Sequence, residues 1–238
     1  GWNLVGWVTD LFRAHAGAGG ASADRITLLR DTNGDGRADV RSPYLTGLHS
    51  PFGMAVIGDW LYVANTDALV RYPYRPGATR ITAAPQKLLD LPSGGEHWTR
   101  NIVAAPDGRS LYIAIGSATN IADQGPDAEG PLYSARSAHA LIRAANQLNR
   151  AAILRFTPDA RRGERRIETM AWGMRNPVGM AIEPNTERLW AVVNERDMMG
   201  SDTPPDYLTL VDGGAFYGWP WFYWGGYPDP RVTPGRPD

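Results

Sequence analysis

Short runs in which apolar and polar residues alternate recur along the chain, and each is bounded by Gly, Pro, Asn or Asp. Period-two alternation over four to seven residues predicts half-buried β-strands, and the punctuation predicts tight turns between them. One pattern repeats. Residues 50–65 read SPFGMAVIGDWLYVAN, residues 176–194 read NPVGMAIEPNTERLWAVVN, and 101–117, NIVAAPDGRSLYIAIGS, is a weaker copy. Each is a strand, a turn and a second strand, the signature of a hairpin. Leu61, Leu111 and Leu189 mark equivalent positions, the first two 50 residues apart and the third 78 further on. A repeat of short strands at roughly 40–50 residues is the spacing of β-propeller blades. The spacing thus predicts an all-β chain, a β-propeller of four-stranded blades forming one domain over 1–238. Four or so blades fit this length. The longer interval predicts an insertion at 124–149, with a helix from Ser137 to Leu148 and His139 facing solvent; the helical insertion is thus expected near 130–149.

Composition narrows the function. Net charge is −1, from 24 basic and 25 acidic residues, so no overall basic field argues for nucleic acid or an anionic membrane. No apolar run reaches the roughly 20 residues of a membrane span, and GWNLVGWVTDLF lacks the basic lead of a signal peptide. The absence of cysteine excludes disulfides, thiolate nucleophiles and Cys-ligated zinc. All basic side chains but Lys87 are arginine. The Gly-rich GAGGAS (17–22) lacks a dinucleotide fingerprint, and no G-x-S-x-G elbow is present.

Four segments carry candidate chemistry. DTNGDGRAD (31–39) offers Asp31, Asn33, Asp35, the Arg37 carbonyl and Asp39 at the alternating positions of a calcium loop, although Ser42 replaces the closing Glu. The other reading of this segment is a plain Asx/Gly turn. WGMRNPVGM (172–180) sets Arg175 and Asn176 just ahead of a repeated strand, where the guanidinium fork would clamp an anionic or quinone oxygen or pair with the next blade. VNERDMMGSDTPPDY (193–207) is an acidic, proline-bearing loop whose carbonyls suit a hard cation. GGEHWTRN (94–101) places His97 at the same point of its own repeat, since Asn101 heads its hairpin as Asn176 does. That equivalence favours a proton-accepting His97, with Glu96 orienting or tuning it, over a hydrogen-bonded structural histidine.

Taken together, RITLLRDTNGDGRADV, GLHSPFGMAVIGDWLYVANTDALVRYPY, HWTRN, RNPVGMA, VNERDMMGSDTPPDYLT and GGAFYGWPW resemble the PQQ-dependent glucose/sorbosone dehydrogenases, six-bladed quinoprotein propellers of the sorbosone-dehydrogenase-like branch. The resemblance covers about residues 25–233, and against the family's six blades it implies a propeller that is incomplete here, truncated at the C-terminus. It implies that His97 is the catalytic base, that Glu96 is its acidic neighbour, and that Arg175 and Asn176 contact the quinone oxygens of PQQ. It further implies calcium on main-chain carbonyls at Asp197 and Met198. The implied reaction oxidises a sugar hydroxyl or hydrated aldehyde and passes electrons to a carrier such as a cytochrome or quinone, in the periplasm or outside the cell. Ala118 stands where the family usually has a polar amide, and no Lys/Arg set for the cofactor's carboxylates is found. These departures define the alternative, a propeller that binds glycan or protein without catalysis.

Overall fold

A computed structural model of the chain describes residues 7–8, 11–12, 15–16, 22–122, 129–130, 148–223 and 226–232. The strands follow in chain order as β1 (Arg25–Arg30), β2 (Val40–Thr46), β3 (Met54–Ile57), β4 (Trp60–Ala64), β5 (Ala68–Pro73) and β6 (Gln86–Asp90). Then come β7 (Arg100–Ala104), β8 (Leu111–Ile115), β9 (Ala152–Phe156), β10 (Ile167–Trp172), β11 (Asn176–Ile182), β12 (Leu189–Asn194) and β13 (Tyr207–Leu210). Three two-residue strands close the series: β14 (Ala215–Phe216), β15 (Phe222–Tyr223) and β16 (Tyr227–Pro228). The fold is all-β and propeller-like. Strands β3–β6 form one antiparallel meander and β7–β10 a second, β11–β13 make a three-stranded sheet, and β1–β2 and β15–β16 are hairpins. Strand β14 joins the outer edge of β10 in parallel.

All three repeated segments are hairpins, β3–β4, β7–β8 and β11–β12. Their leucines hold the expected equivalence: Leu61 pairs with Val56, Leu111 with Ala104 and Leu189 with Ile182, and all three are buried. The sheets stack face to face. Tyr62, Ala64 and Leu69 of the first meander pack on Ile102, Leu111, Ile113, Ile115, Leu154 and Phe156 of the second. On the opposite face of that meander, Ala114, Ile153 and Ala171 meet Leu189, Ala191 and Val193. Strand β8 is therefore covered on both sides, which is why LYIAI is apolar throughout instead of alternating. Each such fully buried aliphatic or aromatic side chain contributes about 1.5–3 kcal/mol.

The inner strands β3, β7 and β11 lie side by side, and polar contacts fix their spacing. Gly53 N donates to Arg100 O at 3.0 Å, and Asn101 Nδ2 donates to Val178 O at 3.1 Å. The interval of 78 residues is explained by the long connection from β8 to β9. The proposed helix from Ser137 to Leu148 falls almost wholly in 131–147, outside the described residues. Among the described residues no helix is long and apolar enough to cross a membrane.

The two copies of the P-x-G-M-A motif differ in one testable respect. A Cβ at Gly53 would meet the backbone of Ile102 and stand 2.7 Å from Arg100 O, whereas at Gly179 the nearest atom is Val192 Cβ at 3.7 Å. Gly53→Ala is expected to destabilise the fold by about 1–3 kcal/mol and Gly179→Ala to stay within about 0.5 kcal/mol, as read from urea-denaturation midpoints.

Candidate functional site

His97 sits at the end of an irregular loop, 92–99, that buried arginines hold from behind. Arg100 is fully buried and donates to Pro92 O (2.5 Å), His97 O (3.0 Å) and Thr99 O (2.8 Å). Arg150 donates to Ser93 O and Gly94 O at 2.7 and 2.9 Å. Unpaired loop carbonyls need donors, and a planar fork supplies several at once. Gly94 and Gly95 have positive φ, and a Cβ on Gly95 would stand 2.7 Å from Ala118 O, so the double glycine lets Glu96 N reach that carbonyl at 2.8 Å. The facing segment is anchored in turn by buried Glu129, which accepts from Ala118 N and Thr119 Oγ1.

The network fixes the imidazole's tautomer. Ser117 Oγ spends its one proton on Thr119 O at 2.6 Å. Both oxygens near His97 Nδ1, Ser117 O at 2.8 Å and Ser117 Oγ at 3.0 Å, are therefore acceptors, and Nδ1 carries the hydrogen. Nε2 keeps its lone pair and makes no hydrogen bond among the described residues. Burial, reinforced by the charge of Arg175, lowers the pKa of His97 from 6.5 to about 4, against the opposing pull of Ser117 and Asp197. The ring is thus a neutral base with one open nitrogen.

Arg175 and Asn176 come up beside it. Ser117 N donates to Arg175 O at 2.7 Å, which ties the end of β8 to the start of β11. A Cβ on Gly116 would stand 2.7 Å from His97 Cβ and strike Asn176 Oδ1, so this glycine is what allows the two side chains to meet. Asn176 Oδ1 is buried with no partner. The Arg175 guanidinium is almost fully committed to the 194–197 loop. It donates through Nη1 to Glu195 O (2.6 Å) and Asn194 O (3.4 Å), through Nη2 to Asp197 Oδ2 (2.7 Å) and through Nε to Asn120 O (3.2 Å). One Nη2 proton remains. Asn120 closes the arrangement by pairing both main-chain groups of Asp197, Nδ2 to O at 2.9 Å and N to Oδ1 at 3.0 Å. Glu195 is buried, and burial pushes its carboxyl up to about 7 despite Arg175 nearby.

With this geometry in view, the relatives of the chain can be set beside it. The sequence model of the TrAA12-like family matches residues 26–205. The chain belongs to this family. Among solved structures, it is similar to the Trichoderma reesei carbohydrate-active enzyme of Family AA12, including a calcium structure, at 18% identity and TM-score 0.63, over 86% of this chain and 53% of that one. The holo PQQ domain of Coprinopsis cinerea pyranose dehydrogenase is similar at 15% identity and TM-score 0.62, over 85% and 55%. The PQQ-bound aldose sugar dehydrogenase of Streptomyces coelicolor is similar at 21% identity and TM-score 0.57, over 88% and 62%. These likenesses show the fold. This TrAA12-like chain spans about half the length of the Trichoderma and Coprinopsis structures. No curated protein sequence matches it.

In this TrAA12-like chain His97, Arg175, Asn176 and Asp197 are brought together as the motifs suggest. Glu96 is not the orienting group: its side chain is exposed, and Ser117 occupies His97 Nδ1 in its place. Met198 follows Asp197 with its side chain 92% exposed and φ of 62°. The 31–39 segment lies in the β1–β2 connection, outside this cluster, and is wound as nested Asx turns. Asp31 accepts from the backbone of Asn33, Gly34 and Gly36, Asp35 from Arg37 N, and Asp39 from Thr32. Among the described residues no three His, Cys, Asp or Glu side chains group as a metal site. Lys87 pairs with Asp90 on outer β6, away from the cluster. Sequence reasoning missed Gly116, Ser117 and Asn120. Their signal was GSATN directly after an apolar repeated strand, the place that Asn65 and Asn194 hold in the other copies.

A folded-state pKa below the unfolded value means that the unfolded chain binds the proton more readily, so His97 supports the fold above pH 6.5 and withdraws that support as pH falls toward 4. An NMR titration is expected to show the His97 ring titrating near pH 4 and protonated on Nδ1 when neutral. A midpoint near 6.5 with an Nε2–H signal would remove both the burial and the tautomer from the argument.

Proposed function

We propose that this chain is the base-bearing part of a PQQ-dependent sugar oxidoreductase, and the observation that carries the reading is His97 with Nδ1 tied to Ser117 and Nε2 left open, on a side chain that converges with Asn176 over Gly116. A buried polar atom without a partner, such as Asn176 Oδ1, costs about 1–3 kcal/mol. An amide oxygen accepts, so that cost is relieved by a hydroxyl donated from a ligand, while the quinone oxygens, which also accept, need N–H donors such as the remaining Nη2 proton of Arg175. That proton and the Asn176 side-chain amide N–H would hold the quinone end of the cofactor there, with His97 beside it. Asp197 O, which uses one lone pair on Asn120, and Met198 O are the oxygens we propose for calcium. PQQ, when bound, supplies an ortho-quinone that accepts the two electrons and the hydrogen of the oxidation.

The chain's own residues supply the rest. His97 Nε2 accepts the proton of the hydroxyl being oxidised, and Ser117 keeps the ring in the one tautomer and orientation that permits this. Burial and, after it, the charge of Arg175 hold His97 neutral at physiological pH, and that charge favours negative charge gathering beside it. Trp98, next to His97 and half exposed against Phe52, offers the kind of aromatic face on which an apolar sugar face stacks. A sugar or aldose substrate, a cytochrome or quinone as electron acceptor, and a periplasmic or secreted location are parts of the same proposal and rest on the kinship.

The test is anaerobic reduction of the protein loaded with PQQ and calcium on addition of glucose, followed by the cofactor's absorbance. His97→Ala is expected to slow the reduction by about 10²–10⁴-fold while loading is unchanged. Reduction at the parent rate in that variant would exclude His97 as the base, and PQQ binding without any reduction would favour a non-catalytic binding propeller.

A further inference from the structure

Behind the loop that Arg175 organises lies a cavity of 550 Å³ that the mechanism does not use. It opens between β12–β13 and the segment around β14 and β15. One wall carries Glu195 and Tyr207, and the other carries Phe216, Tyr217, Phe222 and Tyr223. Neither His97 nor Arg175 lines it. Two polar atoms of its lining residues, Glu195 Oε2 and Tyr207 Oη, are buried with no partner among the described residues. Tyr217 differs: its hydroxyl is spent on Leu210 O and Asp212 N, so that side chain offers its ring. Aromatic residues therefore form one side of the cavity, and residues with an unpartnered carboxyl oxygen and phenol form the other.

We infer that this cavity is a binding site for a small neutral hydroxylated ring compound, of the size and chemistry of a pyranoside, separate from the His97 cluster. The volume lies within the range of small-molecule pockets. A pyranose presents apolar C–H faces, which aromatic rings cover, and equatorial hydroxyls, which donate to a carboxyl oxygen and accept from a phenol. Net charge is disfavoured for either sign. Arg175 and Arg196 stand near Glu195 and oppose a cation, while the carboxyl itself opposes an anion. The inference stands whether or not the chain oxidises sugars, because no residue of the His97 cluster is needed for it.

The site is connected to that cluster all the same. Glu195 lines the cavity and places its carbonyl on Arg175 Nη1 at 2.6 Å, so one residue belongs to both.

Methyl β-D-glucopyranoside is the probe. It has no free anomeric hydroxyl, and the titration is run without PQQ, so turnover does not enter. Saturation-transfer NMR on the intact chain is expected to give a dissociation constant of about 1–50 mM, with intermolecular NOEs from the sugar ring protons to Phe and Tyr ring protons. Tyr207→Phe is expected to weaken binding about fivefold or more, and His97→Ala to leave it unchanged. The NOEs in the parent protein decide the matter if Tyr207→Phe does not fold. Binding lost in His97→Ala and retained in Tyr207→Phe would place the sugar in the His97 cleft, and no saturable binding would mean that the cavity holds only water; either result overturns the inference.

Discussion

The inner end of the sheets depends on the absence of a side chain at Gly116. His97 Cβ and the Asn176 amide converge on the space a Cβ would fill there, and the next residue, Ser117, binds both flanking segments. Its carbonyl and hydroxyl take His97 Nδ1, and its amide takes Arg175 O. The end of β8 is thus the hinge pin between the loop that carries the imidazole and the strand that carries the guanidinium. A methyl group at this point would push apart groups that belong to sheets packed independently through their own apolar faces. Since those faces are rigid and close-packed, the displacement could not be absorbed by the core and would fall on the site.

The second constraint is the satisfaction of carbonyls in irregular backbone. Strand ladders pair their own amides, but the connections at 92–99 and 194–197 leave oxygens buried without hydrogens to meet them. Arg100, Arg150 and Arg175 answer that need, with at least two carbonyls each. Arginine suits these positions better than lysine: an ammonium is a compact, strongly hydrated charge, whereas a guanidinium spreads its donors in a plane and loses less on burial. The same charges act on chemistry. Burial, reinforced by the nearby charge of Arg175, keeps the imidazole neutral, so a group recruited to order a loop also adds to the bias on the protonation state of the base.

Glu195 links the His97 cluster to the aromatic cavity. Its carbonyl takes Arg175 Nη1, and the same residue lines the cavity behind that loop. Buried Arg196, next in sequence, turns the other way and pairs with buried Asp229, which fixes the C-terminal segment against the same loop. A three-residue stretch, Glu195 to Asp197, therefore anchors the site, the cavity and the chain's last hairpin together.

The repeated hairpins, the equivalent leucines and the all-β class were legible in the sequence because period-two alternation and turn residues act locally, within a few residues of one another. The convergence of His97 with Arg175 and Asn176 was legible for a related reason: repeats of one unit must place equivalent loops at one end. What only the tertiary structure decided is which atoms pair there. Glu96 is adjacent to His97 in the chain yet faces solvent, while Ser117, twenty residues on, holds the ring, because neighbours along a loop diverge and the strand end opposite supplies the contact. Asp31, Asp35 and Asp39 have the spacing of ligands, but the folded segment turns their oxygens onto its own backbone amides. The partial commitment of Arg175 to carbonyls and the aromatic cavity beside Glu195 arise from segments far apart in sequence, and no local pattern encodes them.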